Sequence, residues 1–123
     1  MPIKQGELYW LSQQGSDAIG HPHVIIQDDA INASRIDSVV VCALSTNMRK
    51  AKALGNVLLE SGEANLPKQS VVVVSQVSAV KKSQLGEYIG ALSARRVAEI
   101  LAGLRFQKRI SGQRMDEEGK GQS

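Results

Sequence analysis

Apolar residues recur with strand periodicity over the first two thirds of the chain and switch to helical spacing in the last third. Glu7 to Leu11 reads as a first strand, and the Gly, Ser and Asp content of the SQQGSDAIG that follows marks a loop. His21 to Gln27 reads as a second strand, Asp28 to Ser34 as a helical turn, and Asp37 to Leu44 as a Val-rich third strand. A polar, basic loop covers Ser45 to Leu54. Asn56 to Leu59 is a short strand, SGEANLPK a turn region, and Ser70 to Val80 a long strand dense in β-branched residues. Five strands at this spacing predict a small barrel. Ser93 reads as an N-cap, and Val97, Ile100, Leu101 and Leu104 recur at i, i+3, i+4 and i+7, the pattern of an amphipathic helix packed on the barrel. After Phe106 the sequence QKRISGQRMDEEGKGQS has almost no apolar content, which predicts disorder. The expected organisation is one mainly β domain with a C-terminal helix over residues 1–106 and a polar tail over 107–123.

A chain of 123 residues is long enough for one domain with a real core and too short for two. With one Trp, two Tyr and one Phe, that core is built from Val, Ile, Leu and Ala, and stacking platforms for unpaired bases are scarce. A formal charge of +3 and a pI near 9.2 permit nucleic-acid binding, so the placement of the charges carries more information than their sum. The lone Cys42 lies inside VVVCAL, which excludes an intrachain disulfide and predicts a buried thiol in a reducing compartment. MPIKQGELYWL lacks the apolar core of a signal peptide, and no run approaches the ~20 apolar residues of a membrane span. A soluble cytoplasmic protein without membrane contact is expected. One Cys and two His at i, i+2 do not make a zinc site, and GSDAIG lacks the lysine of a phosphate-binding loop, so neither metal nor cofactor is predicted. Lys81, Lys82, Arg95 and Arg96 read as a solvated face.

Several short elements occur in an order that carries more meaning than any one of them. Gly6, Glu7, Leu8, Tyr9 and Trp10 open the chain, Gly15, Ser16 and Asp17 occupy the first loop, and His21 and Pro22 precede VIIQDD. Ser45 and Thr46 close the third strand, Leu66, Lys68, Ser70 and Gln76 span the long one, and Ile89, Gly90, Leu92 and Ser93 lead into the helix. In this order and spacing the chain resembles the MazF/PemK toxin family up to about Phe106. The resemblance implies an SH3-like barrel, a homodimer, and a metal-independent endoribonuclease that cleaves single-stranded RNA at short sequences. It further implies a small, acidic MazE-like antitoxin as partner. Two positions depart from the family pattern. The family's Arg before Pro is absent, with Gly20 and His21 in that region, and Val73 and Ser75 stand where the Kid branch has its catalytic Arg and Asp.

Cleavage by an internal 2′-hydroxyl needs a base for that hydroxyl, an acid for the departing 5′ oxygen, and donors for the phosphorane. His21 and His23 are two apart on a strand, which puts both imidazoles on one side with Cβ atoms about 6.5 Å apart. They read either as the acid and base or as polar residues of the strand end. Ser45 and Thr46 can donate to phosphate oxygens or simply terminate the strand, and strand alternation sends them to opposite faces. Arg49 is a candidate to stabilise the phosphorane in place of the missing Arg, with Lys50 and Lys52 beside it in the same basic loop. Asp17, Ser75 and Gln76 complete the candidate RNA contacts, Asp17 and Gln76 through their match to the family. Two rival functions use the same fold: an RNA-binding module without catalysis, and a CcdB-like toxin acting on DNA gyrase.

Overall fold

The structure, a computed structural model, describes residues 2–11 and 20–122, with side chains as far as residue 108. Its strands are β1 (Glu7–Leu11), β2 (His21–Ile25), β3 (Ser38–Ser45), β4 (Val57–Leu59), β5 (Ser70–Lys81) and β6 (Tyr88–Ala91). They form one sheet in the order β4-β5-β3-β2-β1-β6, with every neighbouring pair antiparallel. A short helix α1 (Asp29–Asn32) joins β2 to β3, capped by the Asp28 carboxylate, which accepts from Ala30 N at 2.8 Å. The long helix α2 (Ala94–Gln122) follows β6, and the Ser93 hydroxyl accepts from Arg96 N at 3.2 Å in its first turn. The five expected strands are present. Tyr88–Ala91 adds a sixth, too short to show alternation and made a strand by pairing with β1.

Alternation along the strands divides the apolar residues into two layers. Leu8, Val24, Cys42, Leu44, Val57, Leu59 and Val72 pack on one face with Leu92 and with Ile100 of α2. Leu11, Ile25, Val39 and Val41 pack on the other, joined by Tyr9, Val80 and Leu85. β5 changes character halfway: Ser70–Val74 are buried, whereas Ser75–Ala79 are exposed. The sequence changes at the same point, from SVVVV to SQVSA.

Between the paired residues Cys42↔Val77 and Leu44↔Val72 lies one residue of β3, Ala43, and four of β5, Val73 to Gln76. This bulge breaks the ladder, so its polar backbone groups need other partners. The Cys42 thiol donates to the Val73 carbonyl at 3.0 Å. Burial pushes that thiol's pKa up to about 12, which keeps it protonated and able to donate. The predicted burial of Cys42 therefore has a hydrogen-bonding role as well as a packing one.

β4 and β6 are the two edges of the curled sheet, and the turn after β4 spans them. Asn65 Nδ2 donates to the Ile89 carbonyl at 3.0 Å. Gly90 is required here because a Cβ would overlap the Ala64 carbonyl. Arg96 of α2 grips the same turn, its Nε 2.7 Å and Nη2 3.1 Å from the Glu63 carboxylate. That ion pair holds Glu63 below the usual glutamate pKa and makes Arg96 a staple between turn and helix, not part of a solvated face. The backbone of α2 is helical through Gln122, where composition predicts disorder after Phe106. Gln107 and Lys108 are good helix formers, and extending an existing helix costs far less than starting one. Among the described residues no helix is long and apolar enough to cross a membrane.

Gly103 of α2 is buried against Gly55 and Val74. Replacing a helical Gly by Ala ordinarily gains about 1 kcal/mol. At Gly103 the new Cβ would overlap the Gly55 carbonyl, a backbone atom unable to swing aside. Gly103→Ala is therefore expected to lower the unfolding free energy by about 1–3 kcal/mol, read as a lower urea midpoint at unchanged slope. A gain of about 1 kcal/mol would show that the helix sits further from Gly55.

Candidate RNA-binding groove

Where the second apolar layer runs out towards the β2–β3 strand ends, the same face of the sheet opens into a groove of about 540 Å³. Its position follows from register. His23 lies opposite Ala43, His21 opposite Leu11, and Ser78 opposite Val41, and directly paired residues point to one face. The walls are His21 and His23 from β2, Ala43, Leu44 and Ser45 from β3, and Gln76, Ser78, Ala79 and Val80 from β5. Leu11, Thr46, Lys50 and Gln84 complete it.

His23 is the better-defined of the two imidazoles. Its Nδ1 lies 2.9 Å from the His21 carbonyl, which can only accept. Nδ1 therefore carries the proton, and in the neutral ring Nε2 keeps its lone pair. Burial holds the His23 pKa below the ordinary 6.5, only partly offset by that hydrogen bond and reinforced by the neighbouring His21. A half-buried, neutral imidazole of fixed tautomer has the properties of a base. His21 is exposed at the start of the strand.

Ser45 is the last residue of β3, and its Oγ accepts from Asn47 N at 3.1 Å, leaving the hydroxyl proton free to donate. Because the strand ends there, alternation no longer governs Thr46, and both residues line the groove where the pattern sends them to opposite faces. Asn47 then caps a 3-10 turn, Met48–Lys52, by accepting from Arg49 N at 3.1 Å. The turn aims Lys50 at the groove, while Arg49, Lys52 and Ser75 are exposed outside its lining. Asp17 lies outside the described residues.

Asn56 holds these parts together and carried no signal in the sequence. Its Oδ1 accepts from Val74 N at 3.0 Å, satisfying the bulge, and its Nδ2 donates to the Lys50 carbonyl at 2.9 Å. One amide thus ties the basic turn to the segment that presents Gln76. Ser78 and Gln84 are the unpredicted polar residues of the lining. Ser78 was readable as the next same-face residue after Gln76, but Gln84 is placed by a turn with no periodicity of its own. Among the described residues no three of His, Cys, Asp and Glu gather as a metal site.

A groove that sets imidazoles, hydroxyls and a lysine on the curled sheet of a small half-barrel defines a class of protein as well as a site. The sequence pattern of the PemK-like, MazF-like toxins of type II toxin-antitoxin systems matches residues 4–107, and the chain belongs to that family. Among its relatives, endoribonuclease MazF2 of Mycobacterium bovis is 34% identical over 109 residues, covering 85% of this chain and 96% of the relative. Endoribonuclease MazF of Staphylococcus saprophyticus is 31% identical over 102 residues, covering 80% and 84%. A mycobacterial endoribonuclease solved in complex with its cognate antitoxin superposes with a TM-score of 0.69 at 20% identity, over 83% of this chain and 90% of that one. MazF from Deinococcus radiodurans gives a TM-score of 0.65 at 20% identity, over 85% and 94%. These two likenesses show the same fold, a curled antiparallel sheet with a C-terminal helix.

Removing Asn56 tests the tie directly. Asn56→Ala leaves the Val74 N–H without a partner, at about 1–3 kcal/mol, while the Lys50 carbonyl keeps its bond from Ala53 N at 3.2 Å. A loss of about 1–3 kcal/mol in urea unfolding is expected, with less than half of it in Asn56→Asp, which keeps the acceptor for Val74 N. A change in Asn56→Ala below about 0.5 kcal/mol would show that the bond to Val74 N does not form in solution.

Proposed function

We propose that this chain is a sequence-specific, metal-independent endoribonuclease toxin that cleaves single-stranded messenger RNA by internal 2′-hydroxyl attack. The observation that carries this reading is the meeting of both imidazoles, both hydroxyls and Lys50 in one groove of a chain from a family of toxins. Its curated relatives are named endoribonucleases. The working unit is the single domain of residues 1–106. It acts in the cytoplasm as a homodimer, and a small acidic antitoxin neutralises it by laying a segment that folds on binding across the groove.

In this mechanism His23 Nε2 takes the proton of the 2′-hydroxyl, held in place by the bond from Nδ1 to the His21 carbonyl. The 2′ oxygen attacks phosphorus, the bond to the 5′ oxygen breaks, and His21 gives that oxygen its proton. The products are a 2′,3′-cyclic phosphate and a 5′-hydroxyl. Ser45 and Thr46 donate to the non-bridging oxygens, and Lys50 supplies the positive charge that the family's Arg provides elsewhere. Gln76 and Ser75 contact the RNA beside the cut, as does Asp17. Arg49 and Lys52, outside the lining, raise the local potential and attract the polyanion.

Purified protein is expected to cut a long mixed-sequence RNA in EDTA at discrete sites sharing a short motif, with 5′-hydroxyl ends, mapped by sequencing. His23→Ala is expected to lower the single-turnover rate by about 10²–10⁴-fold. Because burial disfavours the imidazolium, the base form of His23 persists below pH 6.5. The acid limb of the rate profile is therefore expected below that value in the wild type and to vanish in His23→Ala. The same shift makes protonation favour the unfolded chain, so the His23 contribution to stability is complete above pH 6.5 and is lost as pH falls through the lower folded value. Intact RNA with salt-dependent binding would point to a module without catalysis, and intact RNA with DNA damage in cells to a gyrase-directed toxin.

A further inference from the structure

The groove is chemically divided along its length. One end gathers the imidazoles, hydroxyls and Lys50; the other, four residues along β5 from Gln76 to Val80, is about 13 Å away and is built differently. There Ala79 and Val80 form an apolar wall, with Gln84 as the polar group beside them, and Leu11, paired with His21, joins this wall to the imidazole end. An apolar surface with one directed amide suits the face and edge of a nucleobase better than a phosphate.

The Gln84 amide has a fixed orientation. Its Oε1 accepts from Lys81 N at 2.8 Å, so the oxygen is engaged and Nε2 is the atom left to face a ligand. The turn that carries it is rigid: Leu85 N bonds the Lys82 carbonyl at 3.2 Å, and the Leu85 side chain packs into the apolar layer with Leu11 and Val41. Nε2 offers donors alone, because the acceptor half of the amide is used by the backbone. A donor-only group set against that edge of the base accepts guanine O6 or uracil O4 and opposes the exocyclic amine that adenine and cytosine carry at the same position.

We infer that Gln84 is a specificity-determining residue that selects a keto base, guanine or uracil, in the nucleotide lying against Val80. This rests on the ribonuclease reading above and adds to it which base one position of the cleavage motif requires. Ser78, on the same face of β5, stands between this subsite and the imidazoles.

Gln84→Glu separates reading from folding. The glutamate keeps an oxygen for Lys81 N, preserving the turn, and replaces the groove-facing donor by an acceptor. Cleavage sites of wild type and variant are mapped on the same RNA pool. The expected result is a motif in which one keto position loses at least about 10-fold of its preference or turns to adenine or cytosine, with the other positions unchanged. A second measurement needs no variant: wild-type protein is given substrates with 2-aminopurine for guanine, or cytosine for uracil, at each motif position in turn. One position is expected to lose at least about 10-fold in kcat/KM, and that loss is expected to disappear in Gln84→Glu. Wild type that cuts at a motif with no keto position, or a variant slowed equally at all sites with its motif unchanged, overturns the inference and leaves the ribonuclease reading standing. RNA left intact by the wild type overturns both.

Discussion

The register of β3 between β2 and β5 is the constraint on which the rest of the molecule depends. Its residues alternate between two buried layers, with Cys42 and Leu44 on one side and Val39 and Val41 on the other. Burying each such side chain is worth about 1.5–3 kcal/mol. A slip of one residue would exchange the faces and forfeit several of these terms against a typical total stability of about 5–15 kcal/mol. The same register sets His23 opposite Ala43 and ends the strand at Ser45, so the packing that stabilises the fold also places the groove.

The bulge in β5 interrupts the β3–β5 ladder, and the groove is built around it. Extra residues in one strand leave backbone groups without ladder partners, and here a thiol and an amide from neighbouring elements supply them. Asn56 then passes the constraint to the Lys50 turn, while Gly55 beside it takes the close contact with α2. The helix, the bulge and the basic turn are thus mechanically continuous. Among the described residues the imidazole of His23 is oriented by backbone, through the carbonyl two residues earlier on its own strand. This makes its tautomer a property of the strand.

Much of this was legible in the sequence because it follows from alternation. The Val-rich strands, the amphipathic start of α2, the buried Cys42 and the shared side of His21 and His23 are all period-two or period-3.6 statements. Where an element is defined by its neighbour, the sequence is silent: β6 has no pattern of its own, and only pairing with β1 reveals it. Side chains carried by turns were the hardest to place. The run Arg49, Lys50, Lys52 reads as one basic patch, but a 3-10 turn sends only Lys50 into the groove, and Gln84 reaches it from a turn that composition does not distinguish. Arg96 looked solvated because its partner Glu63 is distant in the chain.

The most direct test of the account is an NMR titration of 15N-labelled protein with a single-stranded oligonucleotide carrying a 2′-deoxy sugar at the cleavage site, which removes the nucleophile and leaves the binding surface. The account predicts perturbations concentrated at His21, His23, Ser45, Thr46, Lys50 and Gln76, with the His23 Nε2 resonance moving while Nδ1 remains hydrogen-bonded. Perturbations confined to α2 and the outer edge of β4, with both imidazoles unmoved, would contradict it.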